Sequence, residues 1–164
     1  MSQYLARFTM SADSLDSIDR AILREVLRDA RLTLQELSGR VNLSPSPCAR
    51  RVRILEERGY ISGYHAHLDE AKLGYPFSVF VSVKLAHQVD DRLQAFEQAV
   101  NAYPEVIDCW LMTGTRDYLL RVAVADLVEF EGFLTRRLTK VPGVASIESS
   151  IPIRRVKKGF SRLD

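Results

Sequence analysis

The apolar residues of this chain change their period at one place, and that change constrains the fold more than any other feature. Ahead of Leu73-Gly74-Tyr75-Pro76 they recur with the 3.6-residue period of helices. Beyond it they alternate, as Phe77, Val79, Val81, Val83 and Leu85 do along a strand. The switch separates a helical first part from a second part built on strands, with a boundary near residue 76. A chain of 164 residues permits one domain or two small ones, each with a modest core.

In the first part, Leu15, Ile18, Ile22, Val26 and Leu27 lie on one helical stripe, and Asp16 is placed to cap that helix. Thr33 and Glu36 form a capping box ahead of Leu34, Leu37 and Val41. This second helix must stop by Asn42-Leu43, because Ser44-Pro45-Ser46-Pro47 opens a third. Proline suits the first turn of a helix, where its missing N–H has no intrahelical partner to lose. The third helix runs to about Gly59, a residue suited to a left-handed cap.

On that helix Cys48, Val52 and Leu55 share one face, and Arg50, Arg51 and Arg53 point elsewhere. Two short helices joined by a tight turn, the second rimmed with arginine, predict a helix-turn-helix. One helix fits the major groove of double-stranded DNA with its first residues at the base edges. Ser44, Ser46 and the amides near Pro45 and Pro47 are then placed to hold phosphates. Arg50, Arg51 and Arg53 are placed for phosphate or guanine. The alternative is a three-helix structural module with a solvated basic face. Residues 60–65 alternate about Gly63 and predict a small hairpin, as in winged helices, so the DNA-binding domain spans 15–76 after an arm of residues 1–14.

The second part reads as strand 77–85, helix 90–102, strand 106–112, a turn at Gly114-Thr115-Arg116-Asp117, and strand 118–124. Asp126 and Glu129 form a further capping box, Pro142-Gly143 ends the helix they open, and a last strand covers 145–153. The order βαββαβ predicts a ferredoxin-like domain over 77–164, giving an α+β chain. Helices cover one face of such a sheet. The other face is expected to display Val, Phe, Ile and Leu with no segment left to cover it, which predicts self-association. A two-fold dimer would set two recognition helices about one DNA turn apart.

The formal net charge is only +2, which rules out a uniformly basic coating protein and leaves local clustering as the source of any nucleic-acid affinity. Residues 1–76 hold 11 basic and 10 acidic side chains, residues 77–148 hold 7 and 10, and residues 149–164 hold 5 and 1. The last group forms a basic tail of Arg154, Arg155, Lys157, Lys158 and Arg162. With no apolar run of membrane-spanning length and no secretory leader pattern at the N-terminus, a cytoplasmic protein is expected. Cys48 and Cys109 fit no disulfide framework or metal spacing, His65 and His67 lack a third ligand nearby, and there is no phosphate loop or nucleophile elbow. Neither an enzyme nor a cofactor is expected. An RNA-binding sheet is the other alternative, though the strands lack an aromatic platform.

Taken together, Ser44-Pro45-Ser46-Pro47-Cys48 with Arg51-Val52, Leu55-Glu56 and Gly59-Tyr60-Ile61 resembles the Lrp/AsnC family of transcriptional regulators. So do Gly114-Thr115-Arg116-Asp117-Tyr118-Leu119-Leu120 and Val141-Pro142-Gly143-Val144 in the second part. The resemblance implies homodimers joined through the ferredoxin-like domains, often assembled into octamers. It also implies a small-molecule effector, commonly an amino acid, bound at interfaces between those domains. By position the effector residues are Gly114, Thr115, Arg116, Asp117 and Tyr118, with Ser149, Ser150 and Ile151 from the last strand. Glycine lets backbone amides approach a carboxylate, and Asp117 is placed to receive an ammonium group. The same residues fit a plain hairpin turn in which Asp117 caps its own backbone. Many relatives carry an acidic residue directly after the glycine. The arginine here favours an acidic group on the effector, or faces solvent.

Overall fold

The structure, a computed structural model, describes residues 15–86, 90–159 and 161–163; the expected N-terminal arm, 1–14, lies outside them. The chain divides into two compact units, residues 15–66 with 157–163, and His67–Val156.

The first unit contains α1 (Ser17–Arg28), α2 (Leu34–Arg40) and α3 (Pro45–Glu57). Two capping boxes start the first two helices. The Asp16 carboxylate accepts from the Asp19 amide at 2.7 Å, and the Thr33 hydroxyl accepts from that of Glu36 at 3.2 Å. The turn into α3 is made by Asn42 in the left-handed region (φ 55°), and Leu43 N–H reaches back to the Ser38 carbonyl. Gly59 (φ 73°) closes α3 as the sequence predicts. Ile22, Leu37, Val41, Cys48 and Leu55 make the core.

The expected hairpin is absent: residues 60–65 form no ladder. Both Tyr60 and Ile61 donate to the Leu55 carbonyl, Ile61 packs on the core, and the Tyr64 hydroxyl donates to Glu56 at 2.8 Å. The end of α3 thus takes the hydrogen bonds and apolar contacts that a self-paired hairpin would have needed.

The second unit runs β1 (Phe77–Leu85), α4 (Asp90–Asn101), β2 (Val106–Leu111), β3 (Tyr118–Val124), α5 (Leu127–Arg136), a 3-10 turn (Leu138–Lys140) and β4 (Val144–Ser150). The sheet is antiparallel with order β2-β3-β1-β4, the ferredoxin-like arrangement. Asp126 caps α5 by accepting from Glu129 N–H at 2.8 Å, while the Glu129 carboxylate takes the Ala125 amide at 2.6 Å, one residue before the expected box partner. Val79, Val81, Val83 and Leu85 of β1 and Tyr118, Leu120, Val122 and Val124 of β3 bury one face together with Phe96, Val100, Phe130 and Phe133. Tyr118 lies against Phe96 with ring centroids 4.5 Å apart.

The opposite face differs from the expectation. The valines point to the helix side, so the register leaves Phe80, Trp110 and Leu119 among Ser78, Ser82, Lys84, Asp108 and Arg121. Nor is this face wholly uncovered. Arg121 makes two parallel bonds to Glu70, at 2.9 and 3.0 Å, and a third to Asp108 at 2.9 Å. That fork explains why residues 67–76, placed with the first domain by the sequence, cluster with the second unit.

Candidate functional site

The helix-turn-helix is α2, its Asn42 turn and α3. Ser44 is the N-cap of α3, yet its hydroxyl makes no capping bond. Proline supplies the reason: Pro45 and Pro47 have no N–H, and Cys48 N–H already bonds the Ser44 carbonyl at 3.2 Å. Only Ser46 among the first three helical residues keeps an amide, so fewer amides face outward than the sequence suggested. What remains exposed at this end is the Ser44 and Ser46 hydroxyls and the Ser46 amide.

Along the rest of α3, Cys48 and Leu55 are buried, and Ser46, Arg50, Arg53 and Glu57 follow one another on the exposed side. Arg53 meets Glu57 at 3.5 Å, with both side chains largely in solvent. Arg51 is different. Its Nη1 bridges Asp16 and Asp19 at 2.7 Å each, tying α3 to the start of α1. Arg40 likewise meets Glu25 at 3.0 Å, tying α2 to α1. Arg40 and Arg51 are therefore struts inside the unit.

The Asp19 amide, and after it the Arg51 guanidinium, hold the Asp16 carboxyl below its ordinary value of 3.8. A lowered folded-state pKa stabilises above the ordinary value and fades as pH falls through the lowered one. Arg51→Gln should therefore lower the melting temperature of the first unit near neutral pH, and its gap from the parent should narrow below about pH 4. A melting series across that range checks this; a gap of constant size would mean that the strut carries no charge stabilisation.

In the second unit Gly114 sits at φ 109°, a backbone open to glycine, and Thr115 is exposed beside it. Arg116 reaches across the end of β1 to β4, donating to the Ser146 hydroxyl and to Glu148, both at 2.7 Å. Asp117 is 4% exposed, and its Oδ2 accepts the Leu85 amide at 2.6 Å. Its own amide and carbonyl bond to Val83 and Met112. The carboxylate is thus built into the end of β1. Tyr118 is buried too, its hydroxyl donating to Glu97 at 2.9 Å, and burial raises its pKa well above the usual phenol range.

Ser149, Ser150 and Ile151 are exposed on the edge strand β4 and just past it. Ser150 pairs with Phe80 and Ser146 with Lys84, and Glu148, which Arg116 reaches, stands directly before Ser149 on the strand. Sequence reasoning missed Ser146 and Glu148; their alternation on β4 was visible, but the loop that reaches them was not. Burial raises the pKa of both cysteine thiols, that of Cys109 to about 11, which disfavours the thiolate.

Comparison with known proteins agrees with this layout. Residues 15–62 match the family model of a winged helix-turn-helix DNA-binding domain, and residues 78–161 that of the Lrp/AsnC ligand binding domain. The chain is 49% identical over 142 residues to the Bkd operon transcriptional regulator of Pseudomonas aeruginosa, covering 87% of this chain and 93% of that protein. It is 42% identical over 143 residues to the leucine-responsive regulatory protein of Rhizobium meliloti, covering 87% and 92%. A transcriptional regulator of Neisseria meningitidis, solved as its L-Met complex, has a TM-score of 0.86 at 35% identity over 91% of this chain and 96% of that one. These relatives are transcriptional regulators and not enzymes. With its helix-turn-helix and its ligand-binding sheet both matched, the chain belongs to the Lrp/AsnC family of DNA-binding transcriptional regulators.

Proposed function

We propose that the chain works as a homo-oligomer that reads double-stranded DNA with α3 and responds to an amino acid held beside the Gly114 loop. The observation that carries the DNA reading is the exposed row Ser46, Arg50 and Arg53, which stays outward while Arg40 and Arg51 are committed to ion pairs within the unit. Ser44 and Ser46, with the flanking prolines Pro45 and Pro47 shaping the approach, hold phosphate, and the two arginines meet phosphate or guanine. The Arg53–Glu57 pair is exposed and weak, so DNA competes with it easily.

Replacing Arg50 and Arg53 together with alanine is expected to weaken binding to a target duplex by about 10- to 100-fold, on the scale of one good guanine contact. Titration by fluorescence anisotropy at several salt concentrations checks it. Unaltered affinity throughout would show that another element reads the groove.

For the effector, support comes from the Neisseria relative solved with L-Met and from the ligand-binding family match. Gly114, Thr115 and Arg116 present the backbone, hydroxyl and guanidinium groups, and Asp117 and Tyr118 hold the loop from behind. Ser149, Ser150 and Ile151 on and just past β4 line the site, and a second copy supplies its other wall in this reading. The exposed Trp110, Leu111 and Met112 at the β2 edge favour such pairing. The ligand acts by binding one assembly better than another. A thermal-shift series over the amino acids, L-methionine first, should find one that stabilises by about 2.7 kcal/mol at a hundredfold excess over Kd. If none shifts the melting curve or the assembly size by light scattering, this part of the reading falls.

A further inference from the structure

After β4 the chain is exposed through residues 151–159 and forms neither helix nor strand there, and Lys157 and the residues after it cluster with the DNA-binding unit and not with the sheet they follow. Charge gives this placement its meaning. Residues 15–66 hold nine basic and seven acidic side chains; Lys157, Lys158 and Arg162 raise the first figure to twelve. With Asp164 counted against them the unit's formal charge rises from +2 to +4, while His67–Val156, with ten basic and twelve acidic, stands at −2. The chain thus places these cations on the unit that already has a positive balance. A surplus of that kind attracts an external polyanion.

We propose that the tail around Lys157, Lys158 and Arg162 is a second DNA contact, an arm that follows the phosphates and does not read bases. The proposal rests on the reading of α3 as the groove helix. The five steps from 157 to 162 reach at most about 18 Å, and successive phosphates lie roughly 3.4 Å apart along one strand's axis. Cations at 157, 158 and 162 can therefore address several neighbouring phosphates. Phosphates are the same at every step of a duplex, so an arm that follows them adds affinity and not sequence preference.

The test uses the full chain and the triple variant K157Q, K158Q and R162Q, titrated onto a mixed-sequence duplex and onto a target duplex between about 50 and 200 mM salt. The slope of log affinity against log salt should become shallower by about 2–3, some 0.9 for each phosphate that the variant no longer neutralises. The affinity gap between the two proteins should then narrow by up to about 40-fold across that range. The preference for target over mixed sequence should stay as it was. Equal slopes for the two proteins overturn the arm, as does a variant whose only change is in assembly size. A full chain that binds neither duplex overturns both the arm and the reading of α3. Equal slopes alongside a weakened Arg50→Ala/Arg53→Ala protein overturn the arm alone.

Discussion

Leu55→Ala should abolish duplex binding at physiological temperature while the His67–Val156 unit still melts as a folded body. Leu55 is 2% exposed and packs with Ile22, Leu37, Val41 and Cys48 on the inner face of α3. Truncating a buried leucine costs about 2–5 kcal/mol, counting both the transfer energy of the removed atoms and the cavity left behind. A core in a unit this small supplies only about 3–5 kcal/mol in total, so the folded fraction falls to around half or below. Calorimetry should lose its first transition and keep its second, and a gel shift should lose its complex. Leu55→Met, which conserves volume, should restore both. Parental melting and binding in the alanine variant would show that α3 is not held by this core.

Asp117→Ala should destabilise the second unit by about 1–3 kcal/mol, because it leaves the buried Leu85 amide without its acceptor. Asp117→Asn keeps an oxygen at the same place and should recover much of the loss. The pair of variants separates two roles. A carboxylate facing the effector would, on removal, blunt the ligand response and leave the ligand-free melting temperature alone. A carboxylate bonded into the end of β1 lowers that temperature first, and the response follows only through the loop it supports. A parental melting curve for the alanine variant would contradict the observed burial.

Much of this was legible from local chemistry. Asp16, Thr33 and Asp126 cap their helices as the sequence predicts, because a cap depends on residues three apart. The strands of the second unit follow from alternation, and their order follows from the sequence of elements. The failures are equally specific. The hairpin at residues 60–65 was inferred from alternation about a glycine, but the Leu55 carbonyl took its hydrogen bonds. The open sheet face is more polar than expected because alternation sends the valines of β1 to the helix side and leaves Ser78, Ser82, Lys84 and Arg121 on the other. A sequence shows how charges are spaced along a helix but not which carboxylates fold against them, so the pairing of Arg51 with Asp16 and Asp19 is not visible in it.

The chain's own order of residues settles where helices begin, where period gives way to alternation, and that an arginine-bearing helix follows a tight turn; these rest on interactions a few residues long. Which arginine faces outward, which aspartate is buried and how far Arg116 reaches depend on partners 30 to 35 residues away in sequence. Such contacts exist only once α1 has packed on α3 and the strands have paired. Tertiary structure therefore decided the roles of side chains whose positions the sequence had already marked.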